Sequence, residues 1–425
     1  MILNLFTVWI VYIGFSLSPK VMCDTLRFLS VAGVRTTILP AMQLRPVSLL
    51  LFVAASAVMA QSSAPAPPSS QQPPVWQMED SGTNASLRGI DSVDGTVAWA
   101  SGTEGTVLDT TDGGAHWQKC SVPDADKDGA SLDFRGVQAW DAMTAIIMAS
   151  GPGDKSRLYK TTDGCKSWKL LFKNPVTPNG FFDSFYFPRS QSLVAEKGRL
   201  GVLIGDPVGG QFSVFETRDG GDSWSRSSNS VLGASEKESG AFAASNTCIA
   251  TFSLDQYDIV VGGKAGSSLL RRSRPLNHKA ITWEKVSLPM AQGAEGARAF
   301  SLAVHVAMAP HTELLAPDMH VSEVVVGGDY TKPNDPTGTA AWSGDSGRHW
   351  LASTTPPHGY RSTVQWSQSE KLWIAAGTNG SDVSRDDGRT WQPLDNGNWN
   401  ALSLPFIVGP KGRIARLNPS ALPKP

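Results

Sequence analysis

The sequence predicts an all-β fold, a seven-bladed β-propeller of four-stranded antiparallel blades whose ring is closed by an N-terminal strand. Three features carry that expectation: a recurring eight-residue phrase, short strand-like runs before each copy, and a turn-rich composition. The phrase is Thr or Ser, any residue, Asp, any residue, Gly, two more residues, then Trp. It reads Thr110-Thr111-Asp112-Gly113-Gly114-Ala115-His116-Trp117 at its first occurrence. Copies end in Asp163…Trp168, Asp219…Trp224, Asp345…Trp350 and Asp386…Trp391, the first of these with Cys165 in the glycine slot. Successive tryptophans lie roughly 40 to 70 residues apart, the spacing of a supersecondary unit that cannot bury its own apolar face.

The chemistry of the phrase is local. The Asp carboxylate accepts backbone N–H groups a few residues on, as in an Asx-turn. Glycine supplies the positive φ of such a turn. The Trp opens the next strand and buries its large ring between neighbouring units. These residues are therefore read as structural rather than ligand-binding.

Before the first copy, Leu87-Arg88-Gly89-Ile90, residues 97–102 and Gly105-Thr106-Val107-Leu108 are short runs bounded by Gly or Asp, which marks strands. With the Trp117 strand they make four. Blades are expected to begin near Leu87, Phe134, Phe181, Phe242, Phe300 and Tyr360, the fourth keeping only Thr282-Trp283-Glu284-Lys285 of its outer strand. After the sixth, Asn400-Ala401-Leu402-Ser403, Phe406-Ile407-Val408-Gly409 and Gly412-Arg413-Ile414-Ala415 supply three strands. The missing one is expected from Val75-Trp76-Gln77-Met78, which removes the open edges of an unclosed array. Six blades with an unpaired tail is the competing count.

The chain of 425 residues has 41 Gly, 28 Pro and 14 Trp, a turn-rich content long enough for a large core. A formal net charge of −1 with 18% charged residues gives no global field towards nucleic acid. Residues 42–60 read as a secretory signal peptide: a basic start with Arg45, an apolar stretch and the small-residue site Val58-Met59-Ala60. Residues 61–74 form a Ser/Pro/Gln-rich linker, 75–418 the propeller and 419–425 a tail. Residues 1–41 are read as an upstream extension preceding the true start at Met42. The mature chain is therefore expected to be exported, periplasmic or extracellular, without a transmembrane domain, and monomeric.

Of the cysteines downstream of the signal, Cys120 and Cys165 sit at the ends of neighbouring blades and can meet; Cys248 reads as a small buried hydrophobe. No cofactor fingerprint is present, and His305, His311 and His320 lack metal-ligand spacing, so neither cofactor nor metal is expected.

Function is expected on the rim opposite the phrases. Its loops are polar and glycine-rich, and they bring Asp206, Asp329, Tyr330, Lys332, Lys411 and Arg413 forward. At the start of the innermost strands, Arg88, Arg135 and Arg361 fall at repeat-equivalent positions, with Asp183 and Asn400 in other blades. Guanidiniums converging there suit a carboxylate or an acidic peptide. The alternative is that each arginine satisfies the carbonyls of its neighbouring blade.

The phrase resembles the Asp-box, or bacterial neuraminidase repeat, of sialidases, sortilin-type receptors and photosystem II assembly/stability factors. The architecture is also WD40/YVTN repeat-like. The Arg-Gly of the first strand, Gly102-Thr103-Glu104-Gly105-Thr106-Val107, and the C-terminal Val408-Gly409-Pro410-Lys411-Gly412-Arg413-Ile414 look most like the assembly factors, over residues 75–418. The resemblance implies a non-enzymatic exported scaffold that binds a protein or peptide partner through an arginine-rich patch, with no catalytic residues. Arg88, Arg135 and Arg361 match that patch by repeat position alone. The alternative is a sialidase-like glycoside hydrolase, with Tyr330 or Tyr360 as nucleophile and Asp206 or Asp329 as acid. The Phe-Arg-Ile-Pro motif of such enzymes is missing, Phe134-Arg135-Gly136-Val137 being the nearest approach.

Overall fold

The structure is a computed structural model. It describes residues 73–188, 200–227, 229–235, 239–253, 256–273, 280–308 and 319–424. The predicted upstream extension, signal peptide and nearly all of the linker lie outside these residues, as does His311.

Seven four-stranded antiparallel sheets form a β-propeller. Blade one is built from Leu87–Ser92, Ala98–Gly102, Val107–Thr110 and Gln118–Lys119. Blades two to six follow in the same chain order, with first strands Phe134–Ala139, Phe182–Tyr186, Ile249–Ser253, Ala297–Met308 and Thr363–Ser367. The seventh sheet combines Ala401–Ser403, Phe406–Val408 and Ile414–Leu417 with Trp76–Glu79. Trp76 lies opposite Leu417 and Glu79 opposite Ile414. First strands line a central channel of about 330 Å³, to which Asp91, Gln138, Tyr186, Thr251, Val304, Gln365 and Ser403 each contribute. Among the described residues no helix is long and apolar enough to cross a membrane.

The repeated phrase folds the same way five times. Thr110 Oγ1 donates to Asp112 Oδ1 (2.9 Å) and accepts from Gly114 N (3.1 Å), while His116 N donates to the same carboxylate at 3.0 Å. Equivalent bonds join Thr161 to Asp163, Thr217 to Asp219, Ser343 to Asp345 and Ser384 to Asp386. The backbone and side-chain bonds from His116 hold the Asp112 carboxyl down to about 2, and those from Ser167 and Ser223 do the same, to about 2, for Asp163 and Asp219. Because these values are depressed, the turns' contribution is present above the ordinary Asp range and is lost as pH falls through about 2.

The fifth slot of the phrase has φ between +55° and +94° in blades one to three, at Gly114 (+88°), Cys165 (+55°) and Gly221 (+94°). It also faces the preceding blade. A Cβ on Gly114 would lie 2.2 Å from Glu79, and one on Gly388 2.8 Å from Val324. At Cys165 the same direction carries a disulfide to Cys120 of blade one, with Cα atoms 5.4 Å apart. That bond consumes the thiolates that would otherwise sit with Asp109 as a metal-ligand set. Cys248 is a free, buried thiol.

The tryptophans close the seams between blades. Trp117 meets Phe406 of blade seven edge-on at 5.5 Å, and Trp168 meets Trp99 of blade one at 6.5 Å. Trp224 stacks on Phe172 of blade two at 5.6 Å. Leu422, in the predicted tail, packs in the cluster that holds Trp76 and Leu417.

The seam between blades four and five is charged. Arg271 lies 2.6 Å from Asp258 and 3.5 Å from Glu323, and both carboxylates are fully buried. One guanidinium cannot neutralise two carboxylates, and burial with the nearby Asp258 charge pushes Glu323 up to about 8. A raised carboxyl value means that stability present at acid pH is lost as pH climbs from about 4.5 to about 8. Glu323→Gln mimics the protonated form. It is expected to stabilise the fold by about 1 to 3 kcal/mol at pH 8 and by almost nothing at pH 4.5. Urea midpoints at the two pH values check this.

Candidate ligand-binding mouth

The first strand of each blade starts at the rim opposite the phrases, and several starts carry a β-bulge. Register shifts fall between Leu87 and Gly89, Phe134 and Gly136, Phe182 and Ser184, and Ala299 and Ser301. The extra residues are Arg88, Arg135, Asp183 and Phe300. A bulge re-aims its side chain out of the pleat, and here Arg88, Arg135 and Phe300 border one cavity of about 360 Å³. Phe242, Tyr330, Tyr360, Ser362, Thr378 and Asn400 complete its wall.

The two arginines are underpaired. Arg135 Nε donates to Asp133 Oδ2 at 2.7 Å, while Arg88 Nη2 reaches the same oxygen at 3.9 Å. Arg88 Nε has no hydrogen-bond partner. Burial pulls the Arg88 guanidinium below its usual value, and the like charge of Arg135 adds to this against the pull of Asp133. Two guanidiniums share one carboxylate, which leaves positive charge facing the cavity. Asn400 braces this corner, its Nδ2 donating to Leu87 O at 2.7 Å.

Across the cavity stands an aromatic wall. Phe300 lies 4.6 Å from Phe242, 4.9 Å from Tyr360 and 6.3 Å from Tyr330. Arg298 caps Phe242 with its guanidinium 4.0 Å from the ring, a cation–π contact. Phe242 arrives on an excursion, not on a strand as expected. Gly240 pairs with Gly262, and the chain rejoins the ladder only where Cys248 O accepts Val260 N. Between them Phe242, Ala243 and Ala244 line the mouth, while Ser245, Asn246 and Thr247 line the channel.

Arg361 is a correction. Leu87 N bonds Gly409 O, Arg361 N bonds Gly327 O and Trp399 N bonds Gly377 O, each reaching the preceding blade. Arg361 is therefore the counterpart of Leu87, and Ser362 is the counterpart of Arg88. A shift of one residue sends a strand side chain to the other face. Arg361 is fully buried, its Nε and Nη2 donating to Asp382 and its Nη1 to Tyr360 O at 2.6 Å. No ligand in the mouth can reach it. Its partners Asp382, Asn379 and Tyr360 belong to its own blade, so it satisfies no carbonyl of the neighbouring one either.

The remaining predicted residues divide. Tyr330 is half-exposed at the edge of the wall. Asp329 is buried and spends Oδ1 on Thr331 N (3.0 Å) and Thr331 Oγ1 (2.7 Å), an Asx-type lock, with Lys332 4.0 Å away. Asp206 sits behind the wall, accepting Ala241 N at 3.2 Å, and burial pushes its carboxyl up to about 6. Lys411 occupies an exposed turn at φ +58°, and Arg413 stacks on Trp399 at 4.6 Å, both outside the cavity lining. Burial raises the Tyr360 hydroxyl, the reverse of an activated nucleophile. The sequence carries no functional signal at Arg298, marks Phe242 and Phe300 only as blade starts, and offers Tyr360 only as a blade start or a nucleophile.

No family model matches the chain. Over 162 residues it is 27% identical to the photosystem II assembly lipoprotein Ycf48 of Synechococcus sp. (strain CC9902), covering 37% of this chain and 42% of that protein. Its fold matches the solved structure of YCF48 bound to D1 peptide, with a TM-score of 0.51 at 18% identity over 81% of this chain and 96% of that one. The chain is a β-propeller similar in fold to that structure. YCF48 from Cyanidioschyzon merolae gives a TM-score of 0.49 at 17% identity, over 81% and 99% of the two chains. The sequence match to the curated assembly factor spans less than half of that protein's length.

Proposed function

We propose that this assembly-factor-like propeller is a non-enzymatic, exported scaffold that holds a protein or peptide partner in the mouth opposite the repeated turns. One observation carries the reading: Arg88 and Arg135 share the single carboxylate of Asp133 beside an aromatic wall. Underpaired guanidiniums suit an acidic group, and the wall suits an apolar side chain next to it. A cavity of about 360 Å³ fits a short segment, not a broad protein face. That a related propeller was solved with a D1 peptide supports a peptide partner. That the Synechococcus relative is a lipoprotein is compatible with export. Residues 42–60 would then act as the signal peptide and 61–74 as the spacer; intact-mass analysis of exported protein should find Gln61 at the N-terminus.

The deciding experiment is capture from the native envelope fraction by wild type and by Arg88→Ala/Arg135→Ala. Each lost charge-assisted bond is worth about 1.5 to 3 kcal/mol. Recovery of the specific partner should therefore fall at least about tenfold, with unchanged thermal unfolding as the control for folding. Undiminished capture by the double variant would move the binding surface elsewhere. Turnover of fluorogenic sialosides that Tyr330→Phe abolishes would replace the scaffold reading with a hydrolase.

A further inference from the structure

We infer that Asp183 and Asp206 form a proton-operated control on the charge of the mouth, so that mildly acidic conditions strengthen its hold on an anionic ligand. This rests on the mouth being an anion-binding site, as proposed above. Asp183 occupies in blade three the bulge slot filled by Arg88 and Arg135 in blades one and two. Asp206 is the bulged residue of the adjacent strand, where the register shifts between Gly205 and Pro207. Phe182 pairs with Gly205, so two acidic bulges flank one rung of the ladder.

Asp183 is sealed from water, while Asp206 beside it is partly exposed. Asp183 is 2% exposed, and its Oδ2 has no hydrogen-bond partner. The segment 241–243 covers both carboxyls: Ala241 N donates to Asp206, and Arg135 Nη1 holds Ala243 O at 3.4 Å. Gly240 is held between Arg298 and Asp206, since a Cβ there would lie 2.9 Å from the guanidinium and 3.1 Å from the carboxylate.

The groups facing the pair come from every neighbouring element. Blade two presents Arg135 with Asp133; blade five presents Arg298, with Glu295 and Tyr330 beyond it; blade four presents the Cys248 thiol. The covering segment is Ala241-Phe242-Ala243 and carries no titratable chain.

Two adjacent carboxyls, one of them fully buried, resist double ionisation. Burial, with the Asp206 charge, raises Asp183 well above its ordinary range, and burial pushes Asp206 up to about 6. As pH falls through about 6 the pair therefore takes up a proton and loses negative charge. Arg88 and Arg135 then face Asp133, and Arg298 faces Glu295, with the pair's charge withdrawn. By linkage, an anion that binds more tightly to the protonated form must itself draw a proton into the pair.

The test uses a rhodamine-labelled Phe-Glu-Glu-Phe amide peptide, whose carboxylates stay ionised throughout, and its neutral Phe-Gln-Gln-Phe counterpart. Anisotropy titrations at constant 0.1 M salt run from pH 7.5 to pH 5.5. Affinity of wild type for the acidic peptide should rise roughly tenfold over this range. Asp206→Asn should bind at every pH as tightly as wild type does at pH 5.5, and the neutral peptide should show no trend. Asp183→Asn provides a second variant should the first unfold. A flat wild-type profile, or one that persists unchanged in Asp206→Asn, overturns the inference. If the acidic peptide binds at no pH, the anion-site reading fails by itself. Carboxyl carbon NMR of the free protein then decides the pair, an Asp206 midpoint in the ordinary carboxylate range overturning its role.

Discussion

Arg361→Ala is expected to destabilise the propeller by about 3 to 5 kcal/mol, the largest loss of any single substitution considered. The side chain is fully buried, and its guanidinium meets Asp382, Asn379 Oδ1 and Tyr360 O. Asp382 is equally buried and also takes His358 Nδ1 at 2.8 Å. Removing the guanidinium leaves that carboxylate without its main counter-charge in a site water does not reach. It also empties a space the size of an arginine between strands. Burial already pulls the Arg361 guanidinium below its usual value, with Asp382 holding it up. The charge is therefore retained by one partner, and losing either member is costly. Arg361→Lys should recover only part of the loss, because an ammonium cannot reproduce the planar set of bonds. Urea midpoints of the variants and wild type measure this. A loss under about 1 kcal/mol would mean that the site relaxes or hydrates. Arg88→Ala, with its guanidinium partly exposed and only 3.9 Å from Asp133, should fall in that smaller range.

The contrast between those arginines shows which parts of the molecule the sequence discloses. The repeated phrase is legible because its physics is confined to eight residues: Asp112 bonds Thr110 and His116, and nothing distant is required. Strand number per blade is legible for the same reason. The bulges are not. Whether Arg361 stands opposite Leu87 or Arg88 depends on one residue of register, and Tyr360-Arg361-Ser362 offers no local cue to decide it. A cue does exist farther along each blade. Gly102, Gly327, Gly377 and Gly409 lie at or near the ends of second strands, where a Cβ would strike the backbone at or just before the start of the facing first strand. Aligning first strands on those glycines puts Ser362, not Arg361, in the mouth. Phe242 escapes that cue as well, because residues 241–247 leave the ladder altogether. Arg298 escapes because its function is to lie over Phe242, a partner from another blade. Electrostatic pairing across blades, as in Asp258, Arg271 and Glu323, is likewise a property of the closed ring.

The disulfide offers the second large effect, and it separates two roles of one residue. Cys120 and Cys165 close a loop with a sequence separation of 45 residues and tie blade one to blade two. Restricting the unfolded chain over such a loop is worth about 4 kcal/mol in the chain-entropy account. Cys120→Ala/Cys165→Ser is therefore expected to lose about 3 to 4 kcal/mol, read from the denaturant midpoint without reductant. Cys165 also carries a cost. It sits at φ +55° in the slot that is glycine in the other four copies of the phrase, and a non-glycine residue there is strained. In Cys120→Ala/Cys165→Ser that strain remains while the link is gone. In Cys120→Ala/Cys165→Gly the phrase regains its usual residue, so about 0.5 to 1 kcal/mol should return. The ordering wild type, then the glycine pair, then the serine pair is the expected result. Were the glycine pair no more stable than the serine pair, the left-handed backbone at this turn would carry no penalty. Were it as stable as wild type, the seam between blades one and two would be held by Trp168 on Trp99, and by Ser121 Oγ donating to Cys165 O, with no help from the sulfur bridge.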